Sequence, residues 1–165
     1  MSSMKKHSCG AILYLVENNT VFIILGMEKG QWFPFKGVRE KGETNDCAAI
    51  REINEETCGS VCIKYIDLKC NYSTKRKHYH IGLVRISKND FINFYKNREN
   101  MINCGKVDFL EKNKIKMFHI DNILVNNFHE ITSIPIKFYL PYLINLQNEL
   151  KSPNYHSLYN KINCI

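Results

Sequence analysis

The sequence predicts an α+β fold, a mixed β-sheet sandwiched between helices. Two apolar runs, Cys9 to Val16 and Val21 to Met27, flank the turn-forming Asn18, Asn19 and Thr20, as in a β-hairpin. The stretch from Thr44 to Thr57 is rich in helix formers, lacks Gly and Pro, and is stopped by Gly59. A third segment, Ser133 to Leu150, reads as a closing helix. Strands, a helix, more strands and a terminal helix suggest one sheet with helices on its faces.

After the hairpin, Lys29 and Gly30 offer a turn before the aromatic segment Gln31 to Phe35. Beyond the first helix, Val61 to Tyr72 and His78 to Ile86 read as two strands joined by the basic turn Ser73 to Lys77. Asn89 to Asn97 reads as a helix with Asp90 near its start, and Arg98 to Asn113 as a long loop. Ile115 to Ile120 returns as a strand, and Asp121 to Val125 as a helical turn. In the closing helix, Pro135 suits the first turn and Pro141 is expected to kink it.

At 165 residues the chain suits one domain, assigned to residues 1–152, with the polar residues 153–165 expected to be a flexible tail. No apolar run approaches the roughly 18 residues of a membrane span, so no membrane partner is expected and the protein is placed in the cytoplasm. Seven cysteines at scattered spacing, without a Cys-x-x-Cys pair, read as reduced thiols. Cys58, Cys62, His78 and His80 do not meet the spacing of a tetrahedral zinc site. A formal net charge of +7 favours a polyanionic partner such as nucleic acid, a nucleotide or another phosphate-rich molecule.

Against that basic background, Glu52, Glu55 and Glu56 crowd onto one helix. At about 100° per residue they share one side, with Ile50, Ile53 and Thr57 beside them as a face to bury. Ala48 and Ala49 are expected to leave the carboxylates uncrowded. Like charges at this spacing destabilise a helix, and no lysine interleaves them. Hard oxygen donors of this kind suit Mg²⁺ or Mn²⁺.

The acidic helix closes a longer pattern. Gly37, five residues, Glu43, seven residues, then Arg51-Glu52-Ile53-Asn54-Glu55-Glu56 resembles the Nudix box, G-x5-E-x7-R-E-U-x-E-E-x-G-U, with U bulky and aliphatic, over residues 37–59. The resemblance implies the Nudix fold and hydrolysis of a nucleoside diphosphate linked to a further group. It implies that Glu52, Glu55 and Glu56, with the Gly37 carbonyl, hold the catalytic Mg²⁺ or Mn²⁺, and that Glu43 and Arg51 form a bracing ion pair. Cys58 stands where the family has glycine and Gly59 where it has an aliphatic residue, so the helix is expected to run one residue longer.

The surroundings of the box are similar to the catalytic domain of eukaryotic and viral mRNA-decapping enzymes. Trp32-Phe33-Pro34-Phe35-Lys36-Gly37 resembles their W-x-F-P-K-G, with the middle pair reversed; Pro34 also matches the W-x-P-P-K-G of diadenosine tetraphosphate hydrolases. Glu111 to Phe118 resembles the decapping pattern E-I-x-x-I-x-W-F, with Lys112 and Met117 as departures. The resemblance makes Glu111 a further metal ligand or general base, a catalytic role shared with Glu52 and Glu56.

Lys36, Trp32, Lys75, Arg76, Lys77 and Tyr79 are candidate substrate contacts, the basic turn tracking an RNA backbone and Tyr79 stacking on a base. The expected reaction is release of 7-methylguanosine diphosphate from capped RNA, in the host cytoplasm if the source is viral. The regulatory domain that precedes the catalytic domain in cellular decapping enzymes has no counterpart here, so a cap-recognition or activator protein is an expected partner. Two alternatives stay open: a hydrolase of dinucleoside polyphosphates or diphosphoinositol polyphosphates, and an inactive Nudix domain that binds RNA or protein.

Overall fold

The computed structural model describes residues 5–106 and 110–152. The expected flexible tail, 153–165, lies outside the described residues. β1 (Lys6–Glu17) and β2 (Thr20–Glu28) form the predicted hairpin. Asn18 and Asn19 turn it with φ of 49° and 59°, a left-handed conformation that asparagine tolerates. β3 (Gln31–Phe33) continues the meander, and β4 (Phe35–Val38) follows after Pro34. β5 (Cys70–Ser73), β6 (Lys77–Arg85) and β7 (Lys114–His119) complete a seven-stranded mixed sheet.

β1 is its organising strand. Leu13 to Glu17 pair antiparallel with β2, while Ser8 to Ala11 pair antiparallel with β4. The opposite edge of β1 runs parallel to β6, giving the order β3-β2-β1-β6-β5, with β7 on β2. The sheet thus forks where β1 leaves β2 for β4, and Gly37 is delivered opposite Cys9.

Helices cover both faces. α1 (Asn45–Glu56) and α2 (Lys88–Asn103) lie over one, and α3 (Glu130–Lys151) over the other. β1 shows why its sequence is apolar throughout: Cys9, Ala11, Leu13 and Leu15 enter the core with α1 and α2, whereas Ile12 and Tyr14 enter the core with α3. Ala48 and Ala49 belong to that first core and are wholly buried, so they let α1 approach the sheet and do not act as spacing beside the carboxylates. None of the described helices is long and apolar enough to cross a membrane.

Several boundaries differ from expectation. Val61 to Tyr72 is a strand only from Cys70; residues 61–69 lie across the sheet face, with Val61 and Ile66 buried in the α1–α2 core. Ile66 packs onto Gly82 so closely that a Cβ there would sit 2.8 Å from its side chain. The expected loop from Arg98 begins only after α2 ends at Asn103, because Ser87 and Asp90 form a capping box and buried Phe94 and Arg98 anchor the helix. α3 starts three residues early, with His129 as its N-cap, and continues through both Pro135 and Pro141. Its docking rests partly on directed bonds: the Tyr139 hydroxyl donates to the Ile81 carbonyl at 2.7 Å and the Thr132 hydroxyl to the Trp32 carbonyl at 2.7 Å.

α1 does not run one residue longer. It ends at Glu56 with Thr57 as C-cap, and Cys58 itself adopts the left-handed conformation, φ 54°, followed by Gly59 at φ 74°. The Gly59 N–H donates to the Asn54 carbonyl at 2.8 Å and the Cys58 N–H to the Glu55 carbonyl at 3.1 Å, the paired bonds of a Schellman cap. A cysteine therefore occupies the position where glycine carries no steric penalty, a conformation costing other residues roughly 1–2 kcal/mol. Cys58→Val, whose branched Cβ fits this backbone still less well, should lower stability by about 2 kcal/mol in urea unfolding, while Cys58→Gly should stay within about 1 kcal/mol of wild type.

Gly10 sets the fork. It pairs with Lys36, and a Cβ there would lie 2.1 Å from the Phe35 carbonyl oxygen and 2.5 Å from the Lys36 Cα. Only a hydrogen lets β4 come this close. Gly10→Ala should cost about 3 kcal/mol in the same measurement, since rigid backbone has to move.

Candidate active site

The site forms where β4 meets the C-terminal half of α1. Phe35 anchors the strand, fully buried with its ring edge-on to Phe94 of α2 at 5.7 Å. The next two residues face the carboxylates. The Lys36 N–H donates to Glu56 Oε2 at 2.7 Å, and Gly37 lies against Glu52, where a Cβ would stand 2.0 Å from Oε2. Any side chain at Gly37 would therefore push the Glu52 carboxylate out of its place.

Arg51 ties the segment together. Its Nε and Nη2 grip both oxygens of Glu43, at 2.8 and 2.9 Å. Nη1 donates to Glu52 Oε1 at 2.7 Å and to Glu55 Oε2 at 3.1 Å, and Nη2 also reaches the Val38 carbonyl at 3.2 Å. Five donors meet five acceptors, the full capacity of a guanidinium. Hydrogen bonds from Arg51 hold the Glu43 carboxyl down at about 2, and the same contacts push the guanidinium further above its ordinary value.

Glu56 is held differently. Its side chain is 2% exposed. Oε1 receives no hydrogen bond; its neighbour is the Lys112 ammonium at 3.3 Å, which also lies 3.2 Å from Glu28 Oε2. Burial pushes the Glu56 carboxyl up to about 8, Lys112 opposing the rise and Glu111 adding to it. Burial also raises Glu52, against the pull of Arg51. Lys36 moves the other way, its ammonium lowered by burial and then by Lys112.

Glu52, Glu55, Glu56 and Glu111 line one cavity of about 160 Å³, with Arg98 and Lys112 on its wall. The three helix carboxylates, expected to hold metal together, each have other company in this structure. Glu55 has a 58% exposed side chain, Glu52 and Glu55 are drawn to Arg51, and Glu56 faces Lys112. Among the described residues no three acidic, histidine or cysteine side chains converge as an ion site. The donor set nevertheless fits a hard divalent ion: four carboxylates share a cavity, and a buried carboxylate oxygen there lacks any hydrogen-bond donor.

The candidate substrate contacts divide. Lys75 and Arg76 are exposed on a turn closed by the Thr74 N–H to Lys77 carbonyl bond, and with Lys77 they border a groove of about 700 Å³ beside His129 and Glu130. Tyr79 borders it too but is 4% exposed, its ring stacked on Tyr72 at 5.0 Å, so it offers no free face to a base. It lies in the sheet, where alternation turns it into the α3 core. Trp32 is half-buried, edge-on to Phe118 at 5.3 Å.

Sequence reasoning missed Arg98, Glu28 and Phe33. Arg98 Nε donates to the Lys112 carbonyl at 3.3 Å, and the Phe33 ring lies 5.1 Å from the Lys36 ammonium and 5.6 Å from that of Lys112. No spacing rule links these residues, and the sequence offers no signal for Arg98, which stands at the start of the expected loop.

No family model and no curated protein sequence matches the chain. Solved structures do. The Ap4A hydrolase of C. elegans, in a binary complex, is 19% identical over 85% of this chain and 98% of that one, with a TM-score of 0.57. This chain has the Nudix fold. A mutT/nudix family protein from Listeria innocua is 14% identical over 97% and 98% of the two chains, TM-score 0.57. NrtR from Shewanella oneidensis is 14% identical over 96% and 85%, TM-score 0.60. Within this Nudix fold the box residues form the strand, loop and helix around Arg51.

The Glu43–Arg51 pair has a pH signature. A carboxyl held at about 2, against an ordinary 4.5, contributes stability above 4.5 that is lost as pH falls towards 2. Thermal unfolding followed across that window should show a steeper loss for wild type than for Glu43→Gln.

Proposed function

We propose that the protein is a divalent-metal-dependent pyrophosphohydrolase of the Nudix type whose substrate is 7-methylguanosine-capped RNA. The observation that carries the hydrolase is the arrangement of Glu52, Glu55, Glu56 and Glu111 around one cavity, with the Gly37 backbone packed on Glu52. Those carboxylates, with the Gly37 carbonyl, would hold Mg²⁺ or Mn²⁺. Such ions, when bound, supply neutralisation of the diphosphate and a lowered pKa for water.

This chain's residues do the rest. Glu52 or Glu111 accepts the proton as water attacks phosphorus, and the bridging P–O bond breaks towards the leaving phosphate. The products are 7-methylguanosine diphosphate and RNA with a 5′-monophosphate. Arg51 orients Glu52, and the ammonium of Lys36 offsets charge on the phosphates.

Support for a capped RNA comes from the formal net charge of +7 and from the separate groove of about 700 Å³ that Lys75, Arg76 and Lys77 border, a basic surface suited to a long polyanion. The second reading, hydrolysis of a dinucleoside polyphosphate, draws on Pro34 and on the fold shared with the C. elegans Ap4A hydrolase.

Cap-labelled RNA, free cap analogue, diadenosine polyphosphates and diphosphoinositol polyphosphates, each supplied with Mn²⁺, distinguish these readings. Capped RNA should have the highest kcat/KM, and preference for a free small molecule would overturn the decapping assignment. Glu56→Gln should abolish turnover with the fold intact, since an amide fits the buried site without its charge. Glu111→Gln should lower kcat by roughly 10²–10⁴. An unchanged rate in either variant removes that residue from the site.

A further inference from the structure

We propose that Lys112 is a tethered cation that competes with divalent ions for Glu56, with Glu28 as the alternative partner that receives it. The inference rests on the metal-dependent reading above and assigns a positioning role to two residues that the Nudix box does not contain.

The lysine is built into the site. Its residue is 2% exposed, and the surroundings hold it at both ends. Arg98 Nε donates to its carbonyl at 3.3 Å, and the next N–H, of Asn113, donates to the Met27 carbonyl at 2.9 Å. Gly26 makes room for the stem, since a Cβ there would lie 2.6 Å from Lys112 Cγ. The ammonium then stands between two carboxylates, 3.2 Å from Glu28 Oε2 and 3.3 Å from Glu56 Oε1.

The two contacts are unequal in kind. Lys112 makes a hydrogen bond to Glu28, whereas Glu56 Oε1 receives none. Glu56 Oε1 therefore meets Lys112 through charge alone, with no hydrogen bond to break when a better cation displaces the ammonium. A divalent ion at Glu56 and an ammonium at 3.3 Å repel each other, so ion binding and the Lys112–Glu56 contact exclude one another. Glu28, 34% exposed at its side chain, offers the displaced ammonium a partner already in reach. A buried lysine without such a partner would have nowhere to put its charge. Lys112 thereby weakens metal binding and stays beside the site as a positive group once the ion has entered.

The experiment is Mn²⁺ titration of the full chain by calorimetry, with circular dichroism as a check on folding. Lys112→Met removes the competitor and should tighten Mn²⁺ binding about tenfold or more, and Lys112→Arg should bind as wild type does. Glu28→Gln removes the alternative partner, leaves the ammonium on Glu56, and should weaken binding by a similar factor. Opposite signs for these variants support the proposal, because simple loosening of the site would weaken both. Shifts of the same sign, or affinities equal to wild type, overturn it while leaving the metal-dependent reading intact. If neither wild type nor Lys112→Met binds Mn²⁺, that reading fails, and this proposal with it. If Lys112→Met does not fold, Lys112→Gln takes its place in the comparison with Glu28→Gln, with the same tightening expected.

Discussion

The arrangement of the candidate site depends on one guanidinium. Arg51 carries five N–H donors in a rigid plane, and five oxygens receive them: two from Glu43, one each from Glu52, Glu55 and the Val38 carbonyl. The loop after β4, the start of the box and the acidic face of α1 are thereby fixed relative to one another. A lysine could neutralise one of these carboxylates but could not set the angles between them, because it is a point charge on a flexible stem. The box needs arginine at this position for geometric reasons as much as for its charge.

Charge and burial then act against each other. Glu52 and Glu56 are each 8% exposed, and α1 turns them towards the sheet instead of towards solvent. Two anions buried near a third and a fourth would not persist without cations. Arg51 supplies one from the exposed side and Lys112 another from within. Buried ion pairs of this kind gain little net stability, since desolvation offsets most of the attraction. On the proposed metal-dependent reading, these carboxylates keep companions that a divalent ion can replace. Lys36 and Lys112 bring two ammonium groups to the Phe33 ring beside these carboxylates, which makes the neighbourhood attractive to phosphate.

How much of this was legible in the sequence varies with the kind of information involved. α1 was readable almost to the residue, because Thr44 supplies the cap, alanines and glutamates propagate the helix, and the chain must turn after it. The hairpin was readable because two asparagines separate two apolar runs. Residues 61–69 misled because Val61, Ile63, Ile66 and Leu68 are apolar enough for a strand, yet they serve to cover the α1–α2 core. The length of α2 was hidden since its last turns are polar and depend on Arg98 reaching a carbonyl fourteen residues on. At Cys58 a non-glycine residue adopts the left-handed exit of α1, which no spacing argument reveals.

By itself the sequence determined the acidic helix, the glycine and arginine that accompany it, and the fold class, since each follows from local periodicity and from residue types at fixed separations. Tertiary structure alone decided which cations face which carboxylates. Lys112 stands 56 positions beyond Glu56 and 84 beyond Glu28, and it meets both only because β7 pairs with β2 and Arg98 holds the loop before it. It also decided that Tyr79 is core and not a stacking platform, because the pleat of β6 turns that ring towards α3. The reason is the same in each case. Local preferences are written in neighbours along the chain, whereas the strength of a charge or the use of a ring is set by what burial places against it.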